Sequence, residues 1–454
     1  MSFVAKFWPL SDIHMGSNCA SAVYSSKPLY RLAVEAVIRN FSNNPRCPNY
    51  RATIEELPLG VRLDMLAEMC DYPSLVEVQL QVLSDPLLVS DFIRHLSGDL
   101  TPLVHCIQWL LSVKKHVPMK LYRQYKKLTE EKISTGGYAR LDYRCGLRIG
   151  TFLIEIGWTC EAIGVLQLAQ QQACFGSAEE LAVLRQLLRA ETLAGAPNRA
   201  KKTYDRMERM LSNIMSVTST VAQSLPDTEN ELQSLRDLQA AVFHSFSLYH
   251  FEDRNVHRSH ECGMESLTSI STRSPSRLVI DVLRQLVRAC LGCRLYTKAV
   301  FTLKLAFGLV VQDYGRMSAL YAETLEDLAI LLLACKQTSE SVEVYAEAQH
   351  IYTQLYGSRN LRLFLAQGNL AYGLCLQAYL TGSRKRALLH IAKSVGNYKR
   401  NLPPQHRLLQ QILRSRATVD LFKFPDVPSD YFGDDEKEVE LFNHKEIVPL
   451  SPCA

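Results

Sequence analysis

The chain is predicted to be all-α: a bundle of short helices, then a helical-repeat array, then an acidic tail. Three observations predict this. Leu328-Ala329 recurs 42 positions later as Leu370-Ala371, and Tyr314-Gly315 recurs at the same interval as Tyr356-Gly357. Between these marks Ala299 and Ser341 hold one small-residue place, followed four and seven positions on by Leu303 and Ala306 in one block and by Tyr345 and Ala348 in the next. A period of this length belongs to helix pairs that cannot bury their apolar faces alone and do so by stacking. The third observation is composition, since 47% hydrophobic and 21% charged residues over 454 positions describe a globular chain rather than a disordered one.

Taken in order, residues 1–27 are rich in Ser, Asn and small residues without a helical period, and they read as a flexible N-terminus. From residue 28 to about 111, apolar helical patterns alternate with breaks at Pro45, Pro48, Pro58, Pro73, Pro86, Gly98 and Pro102, the pattern of a compact bundle of short helices. A basic run follows, with Lys114, Lys115, Lys120, Arg123, Lys126 and Lys127, and Gly136-Gly137 then breaks the chain. A domain boundary is expected there, so the bundle spans residues 28–135 and the array residues 138–424.

Within the array, Gly150, Leu153, Ala162, Leu166 and Ala169 take the small and large places of a tetratricopeptide repeat, with Gly157-Trp158 at its turn. A second repeat is centred on Ala200, Tyr204 and Met207. Residues 252–276 are rich in Ser, His and Arg and lack the period, which makes them a degenerate repeat or an exposed loop. Repeats around Ala299, Ser341 and Ala387 then run consecutively, and the helix from about Gln405 to Phe422 reads as a C-terminal cap. Residues 425–454 hold eight acids against two lysines and read as a disordered tail. Their net −6, within a chain of +5, leaves +11 on residues 1–424. That charge is too dilute to indicate nucleic-acid binding unless it gathers on one face.

Several function classes find little support. The longest apolar runs, such as Leu328 to Cys335, fall short of the roughly 18–20 residues a membrane span needs. Asp12 interrupts what would be the apolar part of a signal peptide, and the 13 cysteines are scattered in mostly apolar contexts, so an intracellular protein with reduced thiols is expected. Asp12-Ile13-His14 has the residue types of a metallophosphoesterase opening, but its companions would have to be Gly98-Asp99 in a helical region and Asn443-His444 in the tail. Cys290 and Cys293, with His257, His260 and Cys262, have the residue types of a zinc site, yet Cys290 falls on the apolar side of a repeat helix. No metal, no other cofactor and no catalytic activity are expected.

Two constellations point to partners. Leu29, Ala33 and Val37 are four apart and share one helix face, on which the small Ala33 allows a partner backbone close while Leu29 fills a pocket; the same spacing also describes an ordinary core stripe. About twenty residues later comes Leu57-Pro58-Leu59-Gly60-Val61, in which Pro58 suits a first helical turn. In the array, Arg284, Arg288 and Arg362 are the arginines that a concave surface could converge on a partner's carboxylate, for which the guanidinium fork is suited.

These residues resemble a known family. Pro28 to Val37 followed by Glu56-Leu57-Pro58 is similar to the start of the amyloid protein-binding protein 2 family. Val279 to Gln285, Ala289-Cys290, Ser341-Val342 with Tyr345, Asn369 to Tyr372, and Asn401 to Pro404 with His406 to Leu409 look like landmarks of its kinesin-light-chain-like repeats. The resemblance implies a substrate receptor of cullin-2 RING ubiquitin ligases, active in cytoplasm and nucleus, with elongin B and C, cullin-2 and proteins bearing C-terminal degrons as partners. Carried over by position, it places Leu29, Ala33 and Val37 at the elongin contact and Leu57, Pro58 and Val61 in the cullin-selecting segment. It also implies an alternative, a trafficking adaptor that binds microtubules and sorting signals such as that of the amyloid precursor protein. Ala33 stands where the family's box prefers Cys, and the chain carries fewer repeats than the family does.

Overall fold

The computed structural model describes residues 29–46, 54–96, 100–135, 141–156, 158–221, 229–356 and 441–449, with scattered positions between 363 and 413. The described residues are helical with no strand among them, and consecutive helices pack as pairs, as expected of an all-α repeat protein. Contacts divide the chain into two compact units, residues 13–190 and residues 191–454.

The first unit begins with α1 (Leu29–Asn43), α2 (Leu59–Glu68), two 3-10 turns (Met69–Asp71 and Pro73–Leu75) and α3 (Val76–Val82). It continues through α4 (Pro86–Leu96), α5 (Thr101–Ser112), α6 (Val117–Thr135), α7 (Tyr143–Glu155), α8 (Thr159–Gln172) and most of α9 (Ala178–Leu193). Helix α2 is the hub of the early bundle, packed on α1, α4 and α5. Across the expected boundary near Gly136-Gly137, α4 packs on α7 and α6 on α8. Close backbone approach accompanies this packing: a Cβ on Gly164 would stand 2.5 Å from the Tyr122 ring, between α8 and α6, and one on Gly150 2.5 Å from Leu166, within the α7–α8 pair. Arg148 Nε also donates to Ser90 Oγ at 2.9 Å, tying α7 to α4.

The second unit holds α10 (Pro197–Val221), α11 (Glu229–Glu252), α12 (Val256–Ser269), α13 (Ser276–Gly292), α14 (Tyr296–Asp313), α15 (Ala319–Ala334) and α16 (Thr338–Tyr356). The last six form three hairpins, and α11, α13 and α15 pack successively. Each hairpin turns in one way. Arg254, Arg294 and Lys336 adopt left-handed φ values of 67°, 60° and 64°. The next amide then bonds the carbonyl five residues back, Asn255 to His250, Leu295 to Cys290 and Gln337 to Leu332, each at 2.8 Å. This is the Schellman closure, here built on cationic residues instead of glycine.

Residues 252–276, left between degenerate repeat and exposed loop by the sequence, resolve as a repeat helix, α12. Its inner face is Ser259, Cys262, Gly263 and Ser266, all buried. Ser259 Oγ donates to Ser247 O at 2.8 Å, Ser247 Oγ returns a bond to Ser259 O at 2.8 Å, and Ser266 Oγ reaches Ala240 O at 2.7 Å. Ser341 uses the same device in the last hairpin, donating to Ala329 O at 2.7 Å. Small hydroxyls let helices approach closely while their polar groups stay satisfied.

Candidate functional site

Helix α1 divides cleanly. Ile38 and Phe41, three apart, are fully buried against the bundle, while Leu29 is 83% and Val37 41% exposed, and Ala33 is exposed between them. Leu32 extends this outward apolar surface. The helix is held in place from its other side: Tyr30 Oη donates to Asp64 Oδ2 on α2 at 2.7 Å, a bond that pushes the phenol up to about 12, and Ser74 Oγ donates to Ser42 O at 3.0 Å. The apolar stripe is therefore a presented surface and not part of the chain's own core. A monomeric protein rarely presents such a stripe without a use for it.

Leu57 and Val61 are half-buried and Pro58 is exposed at the start of α2. Pro58 sits one place before the first helical residue, at the cap, with ψ of 145°. Its carbonyl accepts from Arg62 N at 3.0 Å, so the helix opens without a side-chain cap.

The array arginines behave differently from expectation. Arg284 is buried on α13, where Nε donates to Asp327 Oδ2 at 2.6 Å and a terminal nitrogen to Glu323 Oε2 at 2.5 Å. Arg288 Nε donates to Asp327 Oδ1 at 2.9 Å. The carboxylates that gather these guanidinium groups belong to α15 of the same chain, so Arg284 and Arg288 lock two repeats together instead of facing a partner. Their positions lie on the α13–α15 seam, which composition does not reveal. Glu326 shares the seam: burial and the neighbouring Glu323 push its carboxyl up to about 8, against a 3.3 Å hydrogen bond from Asn369 Nδ2. Arg362 lies outside the described residues.

The zinc-type residues do not converge into a group able to hold a metal among the described residues. Cys262 and Cys290 are core thiols that burial pushes up to about 12 and about 11, while Cys293 Sγ and His257 Nδ1 lie 3.9 Å apart at the surface. Asp12 and His14, with Gly98-Asp99, are outside the described residues. The basic run forms an outer face of α6, on which Lys126 and Lys127 pair with Glu130 and Glu131 one turn on, at 3.8 and 3.6 Å; Lys115 pairs with Glu77.

One site escaped the reading of the sequence. Within the stretch expected to be a disordered tail, residues 441–449 form an ordered segment with a 3-10 turn at His444–Glu446, packed on the last two hairpins. Arg316 is its anchor. The signal was faint: Phe442, His444 and Ile447 stand out among acids, and Arg316 replaces what is Ser358 one repeat later.

Fold and site together define a class, a helical-hairpin repeat protein that displays an apolar helix at its N-terminal end. No protein-family model matches the chain. It is 25% identical over 397 residues to amyloid protein-binding protein 2 of rat, and equally to that of mouse, across 86% of its own length. The similarity is to the protein whose family its landmark residues resemble. It spans 64% of the length of each of these relatives.

Proposed function

We propose that the chain is a non-catalytic substrate-recognition subunit of a cullin-2 RING ubiquitin ligase, docking elongin B and C through α1 and carrying target proteins on its repeats. The observation that carries this reading is the outward stripe of Leu29, Ala33 and Val37, anchored from behind by Ile38 and Phe41. A helix face that is apolar, exposed and braced by its own bundle is the form a helix-in-groove contact takes. Leu57, Pro58 and Val61 then belong to the cullin-selecting segment. Target capture, including capture of C-terminal degrons, falls to array residues other than Arg284 and Arg288, which are committed to Asp327 and Glu323. The protein works inside the cell, in cytoplasm and nucleus. Co-purification of elongin B, elongin C and cullin-2 with the intact chain, and its loss in a Leu29→Ala, Ala33→Asp variant of unchanged helicity, tests the reading.

A second reading rests on the relatives' name. A protein that binds amyloid protein would use the array as an adaptor for a peptide sorting signal, with the basic face of α6 touching microtubules. That face is partly neutralised by Glu130 and Glu131. Binding to microtubules that falls steeply with salt would favour this reading over the first.

A further inference from the structure

We propose that the face built by α14, the α14–α15 turn and α16 is a peptide-recognition surface, which residues 441–449 fill in cis. Its partner in trans is a protein segment that forms a short turn, with an aromatic residue, a histidine two positions on and a β-branched aliphatic residue three beyond that. This inference does not depend on elongin docking.

The surface has the parts of a clamp. Gly315, at φ 75°, turns the chain after α14, and Ser318 fixes the turn by donating to Gly315 O at 2.9 Å and accepting from Tyr321 N at 3.1 Å. Arg316, held between them, donates to the carbonyls of His444, Lys445 and Ile447 at 3.4, 3.1 and 2.8 Å. Those carbonyls lie along and just past the 3-10 turn; that of His444 also accepts from Ile447 N at 3.4 Å, and Arg316 adds a charged donor to all three. Arg316 is itself steadied: it donates to Tyr321 Oη at 3.2 Å and lies 5.9 Å from the centre of that ring. Tyr321 in turn packs edge-on against Phe307 at 5.5 Å.

Backbone contacts of this kind hold a turned segment whatever its sequence, and three side chains supply selection. Phe442 meets Phe307 edge-on at 5.9 Å, with the His444 ring 6.2 Å from the same phenyl. His444 Nε2 donates to Glu347 Oε2 on α16 at 2.9 Å. Ile447 is buried, whereas Asn443, Lys445, Glu446, Val448 and Pro449 are exposed. The segment has no core of its own, so its order comes from docking. A covalent tether raises the effective concentration of a cis ligand to roughly the millimolar range. Weak intrinsic affinity therefore suffices to hold it, and a free segment of equal affinity displaces it only at roughly millimolar concentration, a tighter one at proportionately less.

The test uses the full chain and a fluorescein-labelled peptide of residues 441–449. A Phe442→Ala, Ile447→Asp chain of unchanged helicity is expected to bind the peptide at least tenfold more tightly than the native chain, and adding Arg316→Ala to that variant is expected to abolish binding. A scrambled peptide is expected not to compete, while an unrelated sequence keeping the aromatic, histidine and aliphatic spacing does. A second measurement needs no variant: excess unlabelled peptide is expected to speed hydrogen exchange at residues 444–447 of the native chain. No peptide binding by the folded variant, binding indifferent to Arg316→Ala, or unchanged exchange at millimolar peptide would each overturn the proposal and leave the segment a structural cap.

Discussion

Arg284 Nε lies 2.6 Å from Asp327 Oδ2, and the second oxygen of Asp327 takes a 2.9 Å bond from Arg288, so one carboxylate on α15 holds two guanidinium groups of α13. Truncating Asp327 removes one carboxylate from two buried cations, Arg284 keeping Glu323, and breaking buried pairs of this kind costs about 3–5 kcal/mol. Asp327→Ala is accordingly expected to lower the unfolding free energy of the second unit by up to that order, read as a lower denaturant midpoint. A midpoint unchanged from the native chain would mean that water reaches this seam.

The neighbouring Glu326 carries a pH dependence. Its carboxyl, pushed up to about 8 in the fold from 4.5, keeps its proton after the unfolded chain has lost its own. Native stability is therefore greatest below about pH 4.5 as far as this group is concerned, falls as pH rises toward 8, and levels off above it. Glu326→Gln removes that slope. The variant is expected to gain on the native chain between pH 5 and 8, by up to roughly 1.4 kcal/mol per pH unit, in paired denaturant titrations. A difference that stays flat across this range would contradict the assignment.

Close helix contact makes a third expectation. An added Cβ at Gly150 would stand 2.5 Å from Leu166, and overpacking of this sort typically costs about 1–3 kcal/mol. Thermal unfolding of Gly150→Ala should show a clear drop in midpoint. A neutral result would indicate that α7 and α8 can slide apart.

The sequence was most legible where large and small apolar residues alternate. Gly150 with Leu166, Ala299 with Leu303 and Ser341 with Tyr345 all take buried places in hairpins. It was least legible where the same packing is made by other residue types. Helix α12 buries Ser259, Gly263 and Ser266, and hydroxyl-to-carbonyl bonds replace the apolar face that a periodicity search finds. The hairpin turns carry Arg254, Arg294 and Lys336 where glycine would have announced them. In the candidate site, the four-residue spacing of Leu29, Ala33 and Val37 fits an ordinary core stripe more often than a docking stripe. Only the structure shows that Ile38 and Phe41 are the buried residues of this helix and that Leu29 and Val37 are exposed. For Arg284 and Arg288, the residue type indicated carboxylate pairing correctly but not whose carboxylate, since Asp327 lies more than one repeat-hairpin away in sequence.

The measurement that tests the central claim most directly is capture of purified elongin B, elongin C and cullin-2 by the intact chain, beside the Leu29→Ala, Ala33→Asp variant. Recovery of all three with the intact chain, lost in a variant of equal helicity, is the expected result. Recovery of none with the intact chain, or equal recovery with the variant, would contradict a docking role for α1.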